Sequence, residues 1–169
     1  RLDGKLVDVP VMGEILDKAG KSYAVLSAGT PGGCRMLSHK AEELGMFRFA
    51  LHRPDASVPA ACITEVIDCI GPVPPHEIPS FDWLTYTTDA YLRYSGPVRR
   101  PDVTVLWYCE PDRSYHYEGI GTDSNIWALR RLDAEFGRIL EWRNGEGPGD
   151  SLQIITLSDH GQVTVAAET

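Results

Sequence analysis

The sequence predicts an α/β domain with a mixed or mainly parallel sheet, and three observations favour this class. Short apolar runs rich in β-branched residues alternate with longer segments whose apolar residues recur at helical spacing. Stretches rich in glycine and proline separate the two kinds of segment. With 169 residues, 43% of them hydrophobic, the chain can bury one sizeable core. We therefore expect residues 1–169 to form a single domain, and we expect it to be the incomplete core of a longer protein because the sequence opens without Met.

The first third of the chain is typical of a helix, a strand, a loop and a second helix. Apolar residues at positions 11, 15, 16 and 19 share one helical face, and Gly20 is suited to end that helix. The run 23–27 predicts a short buried strand, and the glycine-rich loop 28–33 follows it. A helix over residues 34–44 is the simplest continuation. This order is the one that a doubly wound α/β domain produces.

Two strands and one long helix dominate the second half of the chain. Two shorter helices are predicted ahead of them, over residues 60–70 and 81–94. The β-branched run 103–108 predicts a buried strand, and the run 152–157 predicts another. A helix over 124–142 lies between them, with an apolar stripe made of Ile126, Leu129, Leu132, Phe136, Ile139 and Leu140. A right-handed crossover through this helix would set the two strands parallel.

Each of these two strands is followed by an aspartate and a histidine. Asp112 and His116 come after the first strand, and Asp159 and His160 come after the second. Open α/β sheets place ligand sites beyond the carboxyl ends of their strands, so we expect the two pairs to lie at one edge. Carboxylate oxygen and imidazole nitrogen together suit Zn²⁺, Mn²⁺ or Fe better than Ca²⁺. The pattern indicates a hydrolase whose pairs hold two divalent metal ions about 3.5–4 Å apart.

A plainer interpretation of each pair is that the aspartate caps a helix or turn and the histidine is exposed. For a single pair this interpretation is favoured, whereas two pairs at one sheet edge favour metal binding. Glu110, two residues before Asp112, is expected to orient a ligating histidine or to end the strand rather than to bind metal itself.

Composition disfavours several classes of partner. The formal net charge of -8 opposes binding to nucleic-acid polymers or anionic membrane, because such binding needs clustered Lys and Arg. No stretch approaches the roughly 20 apolar residues that span a bilayer, and no signal peptide is evident. The four cysteines lack CxxC spacing, which disfavours a structural zinc ribbon. A small phosphate ester is compatible with this charge if metal ions bind it. The sequence decides neither the compartment, cytoplasmic or secreted, nor the oligomeric state.

Two tracts carry a resemblance to a known family. Residues 110–119 contain Glu110, Asp112 and His116, and the second tract is Ser158-Asp159-His160-Gly161. In this order, and with Leu132, Asp133 and Gly137 in the helix between them, they resemble the type I phosphodiesterase/nucleotide pyrophosphatase family of the alkaline phosphatase superfamily. The resemblance is strong from about residue 101 to residue 165. It implies part of an alkaline-phosphatase-like three-layer sandwich with a mainly parallel sheet.

The resemblance also implies a ligand set. The residues that match Asp112 and His116 bind one metal ion in that family, and those that match Asp159 and His160 bind the other, most commonly zinc. A Ser or Thr nucleophile at a helix start, a further Asp ligand and a further His ligand complete the family's site, and we expect all three outside this sequence. Thr30, in the glycine-rich loop, is a weak candidate for the nucleophile. With two protein ligands for each metal, the 169-residue chain alone is expected to show little or no turnover.

The activity implied is the hydrolysis of phosphate diester or pyrophosphate bonds, with a small phosphate or phosphonate ester as substrate. One alternative is a phosphonoacetate-hydrolase-like or phosphomonoesterase activity on the same site. The other, from a different class, is a catalytically silent structural or interaction domain.

Overall fold

The computed structural model describes residues 8–164, which form two compact units. Residues 8–75 and 86–108 make the first unit, and residues 76–85 and 109–164 make the second. The first unit holds the sheet, and the second holds the two Asp/His pairs. The prediction of a single domain stays a prediction.

A three-stranded parallel sheet is the core of the first unit. Its strands are β1 (Tyr23–Ser27), β2 (Phe47–Ala50) and β3 (Val103–Trp107), in the order β2-β1-β3. Ala24 on the central strand pairs with Phe47 on one side and with Thr104 on the other. All five residues of β1 are buried, as expected for the middle strand of a parallel sheet that is covered on both faces. The sheet confirms the predicted α/β class.

The helices of the first unit largely match the predicted ones. They are α1 (Met12–Lys18), α2 (Pro31–Leu37), α3 (Cys62–Ile70) and the second part of α4 (Phe81–Asp89), which continues into a π-helical segment, Ala90–Arg99. The prediction of a helix over 34–44 was wrong in its bounds. The helix begins earlier because Pro31 has the backbone angle that the first helical position needs, and its later part is a series of turns.

Strand β2 has no counterpart among the predicted elements. A charged residue, Arg48, interrupts its apolar pattern, yet the Arg48 side chain is 7% exposed. Burial is tolerated because the guanidinium donates to the carbonyl oxygen of Ala56 at 2.7 Å and lies 3.3 Å from a carboxylate oxygen of Glu42. The strand is therefore set by contacts that the local sequence pattern does not reveal.

The second unit is built mainly from helices. Besides the start of α4 it contains α5 (Asp112–Glu118), α6 (Asp123–Asn144) and a short 3₁₀ helix, Gly149–Ser151. The long helix α6 confirms the helix predicted over 124–142. Within residues 8–164 no helix combines the length and the apolar character that crossing a bilayer requires.

The buried face of α6 differs from the predicted apolar stripe. Ile126 and Leu129 are nearly half exposed, whereas Glu135 is buried. The Glu135 carboxylate accepts hydrogen bonds from the Thr85 hydroxyl and from Arg138, both at 2.7 Å. Because these partners satisfy the buried charge, a polar residue can occupy the packed face, and the face is rotated relative to the apolar stripe.

The prediction of a strand over 152–157 was wrong. The described backbone there is irregular, and Ile155 and Leu157 are 80% and 90% exposed. An apolar, β-branched run becomes a strand only where a neighbouring strand supplies hydrogen-bond partners for its backbone, and none pairs with it among the described residues. The predicted parallel pairing through α6 is therefore not formed.

The amino-terminal ends of β1 and β3 are joined by the carboxylate of Asp102. Its Oδ2 accepts hydrogen bonds from the backbone N–H and the hydroxyl of Ser22, and its Oδ1 accepts one from Lys21 at 2.9 Å. The Ser22 hydroxyl in turn accepts a hydrogen bond from the Asp102 N–H. The Ser22 backbone N–H, followed by the Lys21 ammonium, holds the pKa of Asp102 well below its usual value.

We expect Asp102→Asn to lower the midpoint of thermal unfolding by a few degrees at pH 7. Asp102 has a depressed pKa in the folded protein, so its stabilising contribution is complete above the ordinary aspartate pKa of about 3.9 and is lost as the pH falls below it. The difference in unfolding midpoint between wild type and variant should therefore shrink as the pH falls below about 4. Differential scanning calorimetry over this pH range measures it.

Asp55→Asn is the matched control for this prediction. Asp55 is an exposed aspartate whose ion pair with Arg53 is also exposed, so its replacement should leave the midpoint nearly unchanged. A pH-independent difference between Asp102→Asn and wild type would contradict the electrostatic role of Asp102.

Candidate metal centre

Helix α5 positions the first Asp/His pair. It begins at Asp112, five residues beyond the end of β3 at Trp107, and it ends where Gly119 adopts a positive φ of 84°. Asp112 and His116 are four residues apart, so they project from the same face of the helix. The sequence predicted no helix here, and the pair is held by regular helical backbone.

The four predicted ligand side chains form one group around Asp112, here called the Asp/His cluster (Asp112, His116, Asp159 and His160). Oδ1 of Asp112 lies 3.4 Å from Nε2 of His116 and 3.6 Å from Nε2 of His160. Nε2 of His160 lies 3.6 Å from Oδ2 of Asp159. The four side chains are between 45% and 66% exposed. The second unit thus brings both pairs to one exposed patch without the strand that was expected to position the second pair.

The donor atoms of the cluster suit a divalent cation. The carbonyl oxygen of Gly161 can only accept a hydrogen bond, so the contact of 3.2 Å with Nδ1 of His160 indicates that Nδ1 carries a proton. Nε2 is then the ring nitrogen of His160 that could bind a cation, and it lies 3.6 Å from carboxylate oxygens of both Asp112 and Asp159. Two ligands of a tetrahedral zinc ion, each about 2.1 Å from the metal, lie about 3.4 Å apart, close to the spacing of Asp112 and His116.

The cluster supplies pairs of ligands and not a complete cage. In the part of the chain that the structure describes, no three His, Cys, Asp or Glu side chains are grouped so that they could hold one ion. The residues therefore fit a divalent cation in donor type and in pair spacing, and a cation held tightly would need further ligands. The assignment of Asp112, His116, Asp159 and His160 as metal ligands stays a prediction.

The buried carboxylate of Glu110 fixes α5, the helix that carries the first Asp/His pair. Glu110 is 4% exposed, and it accepts hydrogen bonds from Ser80 and Ser114, in each case from both the backbone N–H and the hydroxyl. The four distances lie between 2.7 and 3.0 Å. Ser114 is in α5 between Asp112 and His116, so Glu110 acts on the pair through the helix. In the hydrogen bonds described it contacts neither histidine of the cluster, and its expected role in orienting a ligating histidine stays a prediction.

Arg113 extends this network away from the cluster. Its Nη1 donates to the hydroxyl of Ser80 at 3.3 Å and to Nε2 of His76 at 2.7 Å. Its guanidinium lies over the ring of Trp83, 5.4 Å from the centroid. The positive charge closest in sequence to Asp112 is thus engaged in packing α5 against the start of α4.

Thr30, the weak candidate for the nucleophile, belongs to the first unit. It precedes α2, and its hydroxyl oxygen accepts a hydrogen bond from the N–H of Gly33 at 3.3 Å. A hydroxyl in this position caps the helix, which gives Thr30 a structural role of its own. Its catalytic role stays a prediction.

Three residues that touch these groups were missed from the sequence. Ser114 had a local signal, because it lies within the 110–119 tract and four residues beyond Glu110. Gln162 lies two residues after His160, and its side chain reaches Asp112 and His116. Ser80 lies 30 residues from Glu110 along the chain, and no local pattern links them.

Comparison with protein families gives a match, which covers the carboxyl-terminal part of the chain. The family model described as Type I phosphodiesterase / nucleotide pyrophosphatase matches residues 61–169. This range is more than half of the chain, contains the whole Asp/His cluster and excludes Thr30. The match confirms the resemblance drawn from the two tracts. Comparison with curated proteins and with solved structures gives no match.

We expect Glu110→Ala to lower the free energy of unfolding by about 3 kcal/mol, because the N–H and hydroxyl donors of Ser80 and Ser114 would remain buried without their acceptor. Urea denaturation followed by circular dichroism measures the change. Glu118→Ala is the matched control, since Glu118 is an exposed glutamate at the end of the same helix, and its replacement should cost less than about 0.5 kcal/mol. Equal unfolding midpoints for the two variants would contradict the role of Glu110.

Proposed function

The chain belongs to the type I phosphodiesterase/nucleotide pyrophosphatase family, and we propose that it hydrolyses phosphate diester or pyrophosphate bonds with two divalent cations bound at the Asp/His cluster. Family membership indicates a hydrolase of the phosphodiesterase or pyrophosphatase type that acts on phosphate esters. The cations, their identity and the residues that hold them are the proposal. The observation that carries it is the convergence of Asp112, His116, Asp159 and His160 within the matched region.

Electrostatics explains why such a site needs cations. The cluster presents the carboxylates of Asp112 and Asp159 to solvent, in a chain whose net charge is -8. A phosphate diester or pyrophosphate is itself anionic, so these carboxylates repel it. Divalent cations, when bound, supply positive charge that neutralises the phosphoryl oxygens and favours an in-line displacement at phosphorus.

Each residue of the cluster has a defined part in the proposal. Asp112 and His116 hold one cation from a single face of α5, and Asp159 and His160 hold the other, as the resemblance implies. Asp112 also lies 3.6 Å from His160, which keeps the two pairs adjacent. Imidazole and carboxylate ligands suit Zn²⁺, with Mn²⁺ or Fe as alternatives. The attacking hydroxyl is assigned to a Ser or Thr outside this sequence, with Thr30 as the weaker candidate.

The first test is metal content and hydrolysis of bis-p-nitrophenyl phosphate by the full-length natural protein, with and without a chelator. We expect about two metal ions per chain and hydrolysis that the chelator abolishes and Zn²⁺ or Mn²⁺ restores, because the cations supply the positive charge at the phosphoryl group. Inductively coupled plasma mass spectrometry and absorbance of released p-nitrophenolate are the two measurements. Absence of both bound metal and hydrolysis in a folded, metal-supplied sample would instead favour the catalytically silent domain.

The second test replaces one ligand. We expect Asp159→Asn to weaken cation binding by at least roughly ten-fold and to remove nearly all hydrolysis, because an amide oxygen lacks the carboxylate charge, while the fold is unchanged. Isothermal titration calorimetry and circular dichroism distinguish the two effects. Asp150→Asn is the matched control, since Asp150 is a fully exposed aspartate of the same unit that pairs with Arg143. Normal turnover in Asp159→Asn would remove Asp159 from the ligand set.

A further inference from the structure

The side chain of Gln162 lies against the first Asp/His pair. Its Nε2 donates a hydrogen bond to Oδ1 of Asp112 at 2.5 Å and lies 3.1 Å from Nε2 of His116. An amide N–H group can only donate, so Nε2 of His116 is the acceptor in the second contact. The carboxamide thus engages one oxygen of Asp112 and the lone pair of Nε2 of His116, the two residues that the proposed function assigns to a cation.

A cation and the Gln162 amide group exclude each other at Nε2 of His116. Coordination through this nitrogen requires its single lone pair, which an N–H group of Gln162 already engages, whereas the carboxylate of Asp112 also offers Oδ2. The hydrogen atoms of the amide carry partial positive charge and are repelled by a nearby cation. Binding therefore requires the carboxamide to leave, and the hydrogen bond to a carboxylate that is lost is among the stronger kinds.

The alignment of Asp112 and His116 does not require Gln162. The two residues are separated by one turn of α5, and the helix is fixed by the contacts of Ser114 with Glu110. Removing the carboxamide should therefore free the two lone pairs without separating the two side chains. Competition, and not loss of alignment, should dominate the effect of a substitution at Gln162.

We propose that Gln162 is an internal competitor for the cation site formed by Asp112 and His116, so that its carboxamide must be displaced on binding and sets the affinity of this site. The inference rests on the proposed function, because it takes Asp112 and His116 as ligands. In this scheme Gln162 is a competing hydrogen-bond donor, and it is neither a ligand nor a catalytic group. Because Gln162 lies two residues after His160, its displacement also removes one of the contacts between α5 and the segment that carries the second pair.

The experiment is isothermal titration calorimetry of Zn²⁺ and of Mn²⁺ into the full-length natural protein and its variants. Gln162→Ala and Gln162→Met should each bind the first cation roughly ten-fold more tightly than wild type, since neither replacement donates a hydrogen bond to Asp112 or His116. The methionine variant keeps the side-chain length, so agreement between the two variants excludes an effect of volume. Gln153→Ala is the matched control. Gln153 lies in the same segment, and its amide donates to the backbone carbonyl of Asp150, so its replacement should leave the affinity unchanged.

Several outcomes would overturn the inference. Equal affinity in wild type and Gln162→Met would show that the carboxamide does not compete, and weaker binding in both variants would make Gln162 a ligand or an aligning residue. Asp112→Asn separates this failure from failure of the proposed function. If wild type binds a cation and Asp112→Asn binds it much more weakly, the site stands and only the competition is wrong. If Asp112→Asn binds as tightly as wild type, or wild type binds none, both proposals fail.

Nuclear magnetic resonance of the Gln162 side-chain amide tests the displacement directly in the wild-type protein. The amide protons should shift strongly when Zn²⁺ is added to the isotope-labelled protein, because their hydrogen bonds to Asp112 and His116 are broken. The side-chain amide of Gln153 serves as the internal reference. Unchanged Gln162 resonances at full cation occupancy would overturn the inference.

Discussion

The second unit depends on the buried carboxylate of Glu110. A buried carboxylate is costly unless donors surround its oxygens, and here Ser80 and Ser114 each supply a backbone N–H and a hydroxyl. The requirement ties the first turn of α5 to the residue that precedes α4. Asp112 and His116 lie two residues on either side of Ser114, so their position follows from the same carboxylate. In the proposed scheme Glu110 binds no cation. Its role is structural, because it fixes the helix that carries the first Asp/His pair.

Sequence reasoning predicted β1, β3 and α6 because each has a long or strongly apolar signal of its own. It missed β2 because Arg48 interrupts the pattern, and only the contacts of the guanidinium with Ala56 and Glu42 allow that residue to be buried. It predicted a strand over 152–157 because apolar character alone cannot tell whether a neighbouring strand is present. The errors have one physical origin, since strand formation and the burial of charge are decided by partners that are distant along the chain.

The same distinction between local signals and distant partners applies to the candidate site. Asp112, His116, Asp159 and His160 were identified from residue type, order and resemblance, all of which are local properties of the two tracts. Their mutual distances were not predictable, because the strand expected to place the second pair is not formed among the described residues, and the 3.6 Å approach of His160 to Asp112 arises within the second unit instead. The partners that support the site were missed for a related reason. Ser80 and Gln162 reach Glu110 and Asp112 across 30 and 50 residues, and hydrogen bonds at such separation leave no periodic signal.

Charge determines what the cluster is able to do. The carboxylates of the cluster are negatively charged, so they repel an anionic ester until a cation binds. The Gln162 carboxamide satisfies the lone pairs of Asp112 and His116 with hydrogen atoms, yet it adds no net charge and does nothing to attract a phosphate. The lone pair of Nε2 of His116 can thus accept this hydrogen bond or bind a cation, but not both together. The affinity of Asp112 and His116 for a cation is therefore the free energy of coordination less the free energy of the Gln162 hydrogen bonds that are lost. Gln162, which is uncharged, thus affects this affinity as directly as the two ligands do.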